Sequence, residues 1–506
     1  MRTHTIFGAV LTAVLAFGLA GRPEASSIED SLTSDGKTIF LSLEEAIRLA
    51  LEHNTDVRLE STRPDSSKAA VMSEKGIFDP YLELTASKEH EKRVSAFLFQ
   101  PPGEGETNQY TLTLSQLFTP GTRFDLSVDH NRRADSSTSF ILNPYYSSTL
   151  SATLTQPVLK GFGAKATKRG LAAARARAEM SMLDFEIFFT RTIRDVAAAY
   201  WDVVNAFENL RVAQQALERA KDLREEIEAR VQVGLLPPVE RAQADAGVAS
   251  REEAIVVAEN TLASAKDRLR LLLGLPVDSK FWDAELSLSN PEAQERSIPS
   301  MDDAVRTALE KRPEMRRVAR EERLSEIELA YARNQRRPRL DAFATRGYAG
   351  LSGPTDWGES FSQVFDEDFP NWTVGLTFAM PLGNRAARGS FRMAHIAREQ
   401  TELTRESLEK NIMVEVRNAV RNVDANAKRV EAARANRVLQ EKNVAVETER
   451  HRNGLSTVYQ VLQTQADLTS AQSAELKARL DYQLSLVELD RAVGRLAEEH
   501  GFEIVE

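Results

Sequence analysis

The sequence predicts a mainly α-helical chain that also carries membrane β-structure, laid out as two internal structural repeats. Three observations predict it: short motifs that recur at matched spacing, segments of strict period-two alternation, and very long proline-free helical stretches. Taken in chain order, residues 1–20 open with Arg2, run apolar from Ile6 to Ala20 and close on Gly18-Leu19-Ala20. Those are the three parts of a secretory signal peptide, and the apolar run is shorter than the roughly 20 residues a spanning helix needs. The mature chain is therefore read from residue 21, as a first repeat over 21–276, a linker over 277–299 and a second repeat over 300–506.

Composition narrows the class. The chain of 506 residues contains no cysteine, so an exported fold must be held by packing without disulfides. A formal net charge of −10 argues against nucleic acid, whose binding needs a basic face. Beyond residue 20 no stretch approaches 20 apolar residues, so a membrane-spanning part has to be a closed β-barrel, the remaining way to satisfy backbone groups in lipid.

Each repeat opens with an amphipathic helix. Ser42-Leu43-Glu44-Glu45-Ala46-Ile47 returns as Ser300-Met301-Asp302-Asp303-Ala304-Val305, and the two helices end near Asn54 and Arg312-Pro313. Strands come next, over 80–157 and 338–381. Trp372, Val374, Leu376, Phe378 and Met380 alternate with Thr373, Gly375, Thr377 and Ala379; Phe124, Leu126 and Val128 alternate with Arg123, Asp125, Ser127 and Asp129. Such strands have one greasy and one wet face, as a transmembrane barrel requires. Leu154-Thr155-Gln156-Pro157-Val158-Leu159 is echoed by Phe378-Ala379-Met380-Pro381-Leu382 at the strand ends.

Long helices follow. Residues 172–233 and 390–452 contain no proline, and at 1.5 Å per residue each makes a rod of roughly 90 Å, pointing to coiled-coil-like packing. Both break near a glycine, with hairpin tips near 234 and 454: Val233-Gly234-Leu235 is echoed by Asn453-Gly454-Leu455. A second helix then runs back to Gly274-Leu275-Pro276 or to Gly494. On the last one, Val458, Leu462, Gln465, Leu468, Gln472, Leu476, Leu480, Leu484 and Val487 form a stripe at spacings of three and four.

This order, with Leu43-Glu44-Glu45-Ala46-Ile47 and Asn54, Ala304 with Arg312-Pro313, Gln156-Pro157-Val158-Leu159, and Leu271-Leu272-Leu273-Gly274-Leu275-Pro276, resembles the TolC-like outer-membrane efflux family over nearly the whole mature chain. The resemblance implies a homotrimer whose protomers share one β-barrel in outer-membrane lipid, continued by a long α-helical barrel through the periplasm. It implies a passive export conduit of a tripartite efflux or type I secretion system, with a periplasmic adaptor and an inner-membrane pump or ABC exporter as partners. Sharing also follows from physics, because one protomer has too few strands to enclose water and an open edge cannot sit in lipid. A soluble periplasmic coiled-coil adaptor is the competing reading; it explains export and helices but not the repeated alternating strands.

One departure from the family pattern is visible. About 111 residues separate Ala46 from Pro157, against about 77 from Ala304 to Pro381. The surplus matches a hairpin of Tyr110 to Leu117 and Arg123 to His130, joined at Thr119-Pro120-Gly121, between long connections at 93–109 and 131–146. Six strands per protomer, and about eighteen per trimer, are expected.

The resemblance assigns adaptor docking to the tips, at Val233, Gly234, Leu235, Gly454, Leu455 and Ser456, where glycine also serves simply as a left-handed helix cap. It assigns a periplasmic aperture to the returning helices. Register from the glycines puts Glu240 there in the first repeat, with Gln460, Gln463 and the acid Asp467 in the second; three Glu240 copies around an axis would favour cations. Gly161-Phe162-Gly163 lacks the third glycine of a nucleotide loop, Ala166 standing in its place, and reads as a turn at the membrane edge. His53, His90, His130, His395, His451 and His500 show no ligand spacing, and no triad or phosphate loop is present. No enzyme, metal or cofactor is read. Tyr81, Tyr110, Tyr145, Tyr146, Trp357 and Trp372 are candidates for interfacial aromatic girdles.

Overall fold

The computed structural model describes residues 38–94, 103–136, 141–275, 282, 284–289 and 298–502. The signal segment at 1–20, Pro276 and most of the 277–299 linker lie outside the described residues. In chain order the elements are β1 (Thr38–Leu41), α1 (Leu43–His53), α2 (Thr55–Lys75), β2 (Tyr81–Arg93), β3 (Gly103–Leu117), β4 (Arg123–Asp135), β5 (Tyr145–Pro157), α3 (Ala164–Thr167) and α4 (Arg169–Gln232). There follow α5 (Pro238–Leu273), β6 (Glu285–Leu288), α6 (Met301–Lys311), α7 (Pro313–Gln335), β7 (Arg339–Ser352), α8 (Trp357–Phe365), β8 (Phe369–Ala379), α9 (Arg385–Arg452), α10 (Val458–Val493) and α11 (Leu496–Glu499). No helix among the described residues is long and apolar enough to cross a membrane.

The chain forms two compact units. One holds the described residues up to Pro64, Met182–Arg317 and those from Arg405 onward. Its α1 starts with a full capping box: Ser42 Oγ accepts from the Glu45 amide, and Glu45 Oε2 accepts from the Ser42 amide at 2.8 Å. The helix stops at Asn54, whose Nδ2 donates to the Leu272 carbonyl at 2.7 Å while its Oδ1 takes the Asp56 and Val57 amides. Asn54 thus ends α1, starts α2 and ties both to the end of α5. Gly274 caps α5 at φ +66, and a Cβ there would lie 2.4 Å from Asn54 Cα. A similar device with different chemistry joins the ends of α6 and α10. Arg312 ends α6 and lies against Gly494, the left-handed cap of α10.

Buried Arg312 is held by Glu314 at 2.7 Å and Glu415 at 2.5 Å, and Glu415 also accepts from Arg491. Burial alone would raise the Glu415 carboxyl, but the two guanidinium groups win and hold it below the usual carboxylate range. The larger core comes from the apolar faces of α1, α4 and α5, with Ile47, Ile193, Val196, Tyr200 and Leu269 fully enclosed. There β1 pairs in parallel with β6. The Tyr200 hydroxyl donates towards the Ser289 carbonyl at 2.5 Å and the Leu41 carbonyl at 3.2 Å, closing that short sheet onto α4.

The second unit, Asp65–Ser181 with Val318–Thr404, contains one six-stranded sheet in the order β2-β3-β4-β5-β7-β8, antiparallel throughout. The hairpin expected at 110–130 is its β3 and β4, inserted between β2 and β5. Its turn closes through the Gly121 amide to the Phe118 carbonyl, and Gly121 at φ +94 packs against the Gly161 carbonyl. Both strands are longer than expected, because 103–109 and 131–135 continue the ladder where the sequence reads as loop. Their cross-strand contacts are ionic: Glu106 of β3 meets Arg132 of β4 at 3.5 Å and Lys88 of β2 at 3.1 Å, and Glu104 meets Lys92 of β2 at 2.6 Å. They therefore carry no apolar alternation to read. Helix α8, between β7 and β8, is an element that the sequence reading does not anticipate.

Register sorts the sheet into two chemical faces. Leu82, Leu112 and Leu114, Leu126 and Val128, Leu150 and Leu154, Ala342 and Ala344, and Val374 and Leu376 are linked by direct pairing on one face. The opposite face carries Thr85, Thr111, Ser115, Asp125, Ser127, Thr153, Thr345 and Thr373. Among the described residues, the outermost strands β2 and β8 have no ladder partner on their outer edges.

Candidate functional site

Two regions are candidates for function: the wet face of the sheet and the ends of the helical hairpins. On the wet face, Thr111 Oγ1 donates to Asp129 at 2.6 Å and Ser115 Oγ to Asp125 at 2.6 Å, while Thr153 and Thr345 hydroxyls meet at 3.0 Å. These groups are only partly enclosed. The girdle candidates divide between the faces. Tyr110, Tyr146 and Trp372 stand on the greasy face, whereas Tyr81 and Tyr145 pair into wet rows with Ser115 and Arg133. An aromatic residue gives no indication of face unless its parity with neighbouring rows is known.

At the first tip α4 ends at Gln232 and the chain reverses through Gly234 at φ +79. The Leu235 amide reaches the Arg230 carbonyl at 2.9 Å, and the Gly234 amide the Val231 carbonyl at 3.0 Å. The second tip has the same pair of bonds, Leu455 to Arg450 at 2.8 Å and Gly454 to His451 at 3.0 Å, with Gly454 at φ +76. Both are glycine-capped helix ends of Schellman type. An added Cβ would meet nothing within 4 Å of either glycine, so glycine is needed for its backbone angle and not for space. Pro237 and Pro238 then start α5, while Thr457 caps α10 by accepting from the Gln460 amide.

Val233, Leu235 and Leu455 are exposed, and Val239 and Tyr459 extend this apolar surface beyond the expected residues. Ser456 is turned inward, its hydroxyl on Glu447 and at 2.8 Å from Gln460 Oε1. Beneath the surface Leu223, Ile227, Ala244, Val458 and Val461 form a small core that joins both hairpins. Gly247 lets the Leu462 side chain lie directly on α5.

Glu240 is half-buried and does more than present a charge: its Oε2 accepts from the Val458 amide at 3.3 Å, at the N-terminus of α10. Gln460, Gln463 and Asp467 share an exposed face of α10, with Gln463 Nε2 donating to Asp467 at 3.0 Å. His451, unsuspected from the sequence, is buried beside these groups. Burial and then the Arg230 guanidinium push its imidazole below the ordinary histidine range, against the opposing pull of Glu226, Glu240 and Glu447.

The stripe expected on α10 packs against its neighbours and is wider than expected. Val458, Gln465, Leu468 and Val487 are buried, Leu462, Leu480 and Leu484 are half-buried against the cores, and Val461, Ala471, Glu475 and Ala478 widen the enclosed face. Alanines do not stand out as a stripe, and buried Glu475 is retained by Arg437 and by Arg479 at 2.5 Å.

The chain thus combines a sheet that has one greasy face with helical hairpins of 64 and 36 residues and of 68 and 36 residues. The profile described as "Outer membrane efflux protein" matches residues 119–275 and 304–495. The chain belongs to the outer membrane efflux protein family. Outer membrane protein TolC of Escherichia coli is 25% identical over 320 residues, 61% of this chain and 62% of TolC. The pyoverdine export outer membrane protein OpmQ of Pseudomonas putida is 28% identical over 343 residues, 64% of this chain and 67% of OpmQ. The alignment thus spans less than two thirds of TolC and about two thirds of OpmQ. The fold is similar to that of the CmeC outer membrane channel of Campylobacter jejuni, with a TM-score of 0.68 at 18% identity over 91% of this chain and 86% of CmeC. It is likewise similar to the outer-membrane channel OprN, at 0.69 and 17% over 89% of each.

Proposed function

We propose that this chain is the outer-membrane channel subunit of a tripartite efflux or type I secretion system, a passive conduit from periplasm to exterior and not an enzyme. The carrying observation is the two-faced six-stranded sheet with both edges open. Three copies joined edge to edge would form a closed barrel of about eighteen strands, with hydrocarbon outside and water inside. Exposed apolar residues on the long helices, among them Phe207, Val256, Val257, Val414 and Leu439, support a helical barrel in which neighbouring copies cover them. Internal duplication is supported by the matched caps, Asn54 with Gly274 and Arg312 with Gly494. The apolar tips would receive a periplasmic adaptor joined to an inner-membrane pump or ABC exporter.

The mature protein, extracted from outer membranes in mild detergent, should run as a trimer and give stepwise conductance in planar bilayers. Leu376→Arg, on the greasy face of β8, should cost up to about 2–4 kcal/mol and reduce the membrane-inserted yield. A water-soluble monomer without conductance overturns the reading.

A further inference from the structure

Helix α8 belongs to no part of the conduit described so far. It lies on the greasy face of the sheet, at the end away from the β3–β4 turn, resting on β5 and β7. Gly350 makes this contact possible, since a Cβ there would stand 2.0 Å from the Ser360 carbonyl oxygen. Ser360 is 0% exposed, and its hydroxyl meets that of Ser148 at 2.9 Å. Phe361 stacks on His130 at 4.7 Å, and Gln363 Oε1 accepts the Leu351 amide at 2.9 Å. Asp356 caps the helix through the Gly358 and Glu359 amides. At its far end the Tyr348 hydroxyl donates to Glu367 at 2.9 Å, with Arg346 over the Tyr348 ring.

The helix is docked but not covered. Trp357 and Phe365 remain 62% and 68% exposed, and with Phe361 they stand at i, i+4 and i+8 on one flank, while Glu359, Ser362 and Asp366 occupy the other. Under this flank the strands run out of aliphatic side chains: β5 turns from Leu150 to Ser148 and Tyr146, and β7 from Ala344 to Arg346, Tyr348 and Gly350. From Leu340 to Ala344 the greasy part of β7 is about 14 Å long, against an apolar band of roughly 25 Å in outer-membrane barrels. The aromatic flank lengthens that band where the strands fall short. Copies joined through β2 and β8 leave the outward surface over β5 and β7 free.

Building on the channel reading, we infer that α8 is an interfacial membrane anchor on the outside of the barrel, its occupant being the headgroup–acyl boundary of the bilayer. Trp357 and Phe365 enter the lipid, and the acidic flank stays in water.

The absence of cysteine makes a site-directed test direct. Phe365→Cys, Leu376→Cys and Thr373→Cys are each made in the full mature chain, nitroxide-labelled and reconstituted into phosphatidylcholine vesicles. Power saturation then compares collision with oxygen and with a nickel chelate. The label at 376, whose native leucine is 72% exposed, should favour oxygen and the one at 373 nickel. The label at 365 should favour oxygen at a shallower depth than 376. Nickel access at 365 with oxygen at 376 overturns the anchor and leaves the channel reading intact. So does a label at 365 shielded from both reagents and dipolar-broadened, which would mark a second copy as the occupant, or one as deep as 376. Nickel access at both overturns the anchor and the channel reading together.

Discussion

Gly234 and Gly274 share a left-handed backbone and differ in what surrounds them. Around Gly234 there is open space, so Gly234→Ala should cost only the backbone strain, about 1–2 kcal/mol. At Gly274 a methyl group would strike the Asn54 main chain, and Gly274→Ala should cost more than about 3 kcal/mol. Thermal unfolding of the purified trimers would separate the two; equal shifts would refute the packing argument. Glu415 makes a pH-dependent prediction at the same scale. Its carboxyl titrates lower in the fold than in the unfolded chain, so its contribution is present above the ordinary glutamate value and is lost as pH falls through the folded one. Glu415→Gln should therefore lower stability at pH 7, by about 1–2 kcal/mol after allowance for its partial exposure. The gap to the unaltered protein should narrow below about pH 4. A constant gap from pH 7 to pH 3 would show that the carboxylate charge contributes nothing.

Among elements, the returning helices offer the clearest test. Glu240 accepts the Val458 amide, so Glu240→Gln keeps an acceptor but removes a charge from the positive end of α10, a loss of about 0.3–1 kcal/mol. In planar bilayers the same change should lower cation preference. Unchanged selectivity with lowered stability would leave Glu240 a cap and nothing more. The elements also show what was legible beforehand. Helix ends at Asn54, Arg312, Gly234 and Gly454 were readable because caps have residue-specific chemistry, and the β3–β4 hairpin because proline, glycine and alternation coincide. The outer ends of β3 and β4 were not, since ion pairs leave no apolar period. Nor was α8: its stripe of Trp357, Phe361 and Phe365 spans only nine residues between two strands, too short a run to be told from them by period. At the tips the glycine turns were legible, whereas His451 and Glu447 depend on the packing of distant segments.

For the whole molecule, the proposed trimer accounts for what a lone protomer leaves unpaired. Edges at β2 and β8, exposed apolar residues on α4, α5 and α9, and a polar sheet face wetted from one side are all incomplete in one copy. Copies in which β8 is disrupted should be purified together with intact ones if assembly depends on interior contacts alone, and should be lost from trimers if the edges are essential. Tagged co-expression and pull-down would decide between these outcomes.

The open borders of the sheet also bear on inheritance. A ring that is sealed only when every seam is good tolerates no weak member, so an allele altering one seam should be dominant. With equal amounts of sound and faulty polypeptide mixing at random, on the order of one ring in eight would be wholly sound. Export capacity in such a mixed strain should fall well below half.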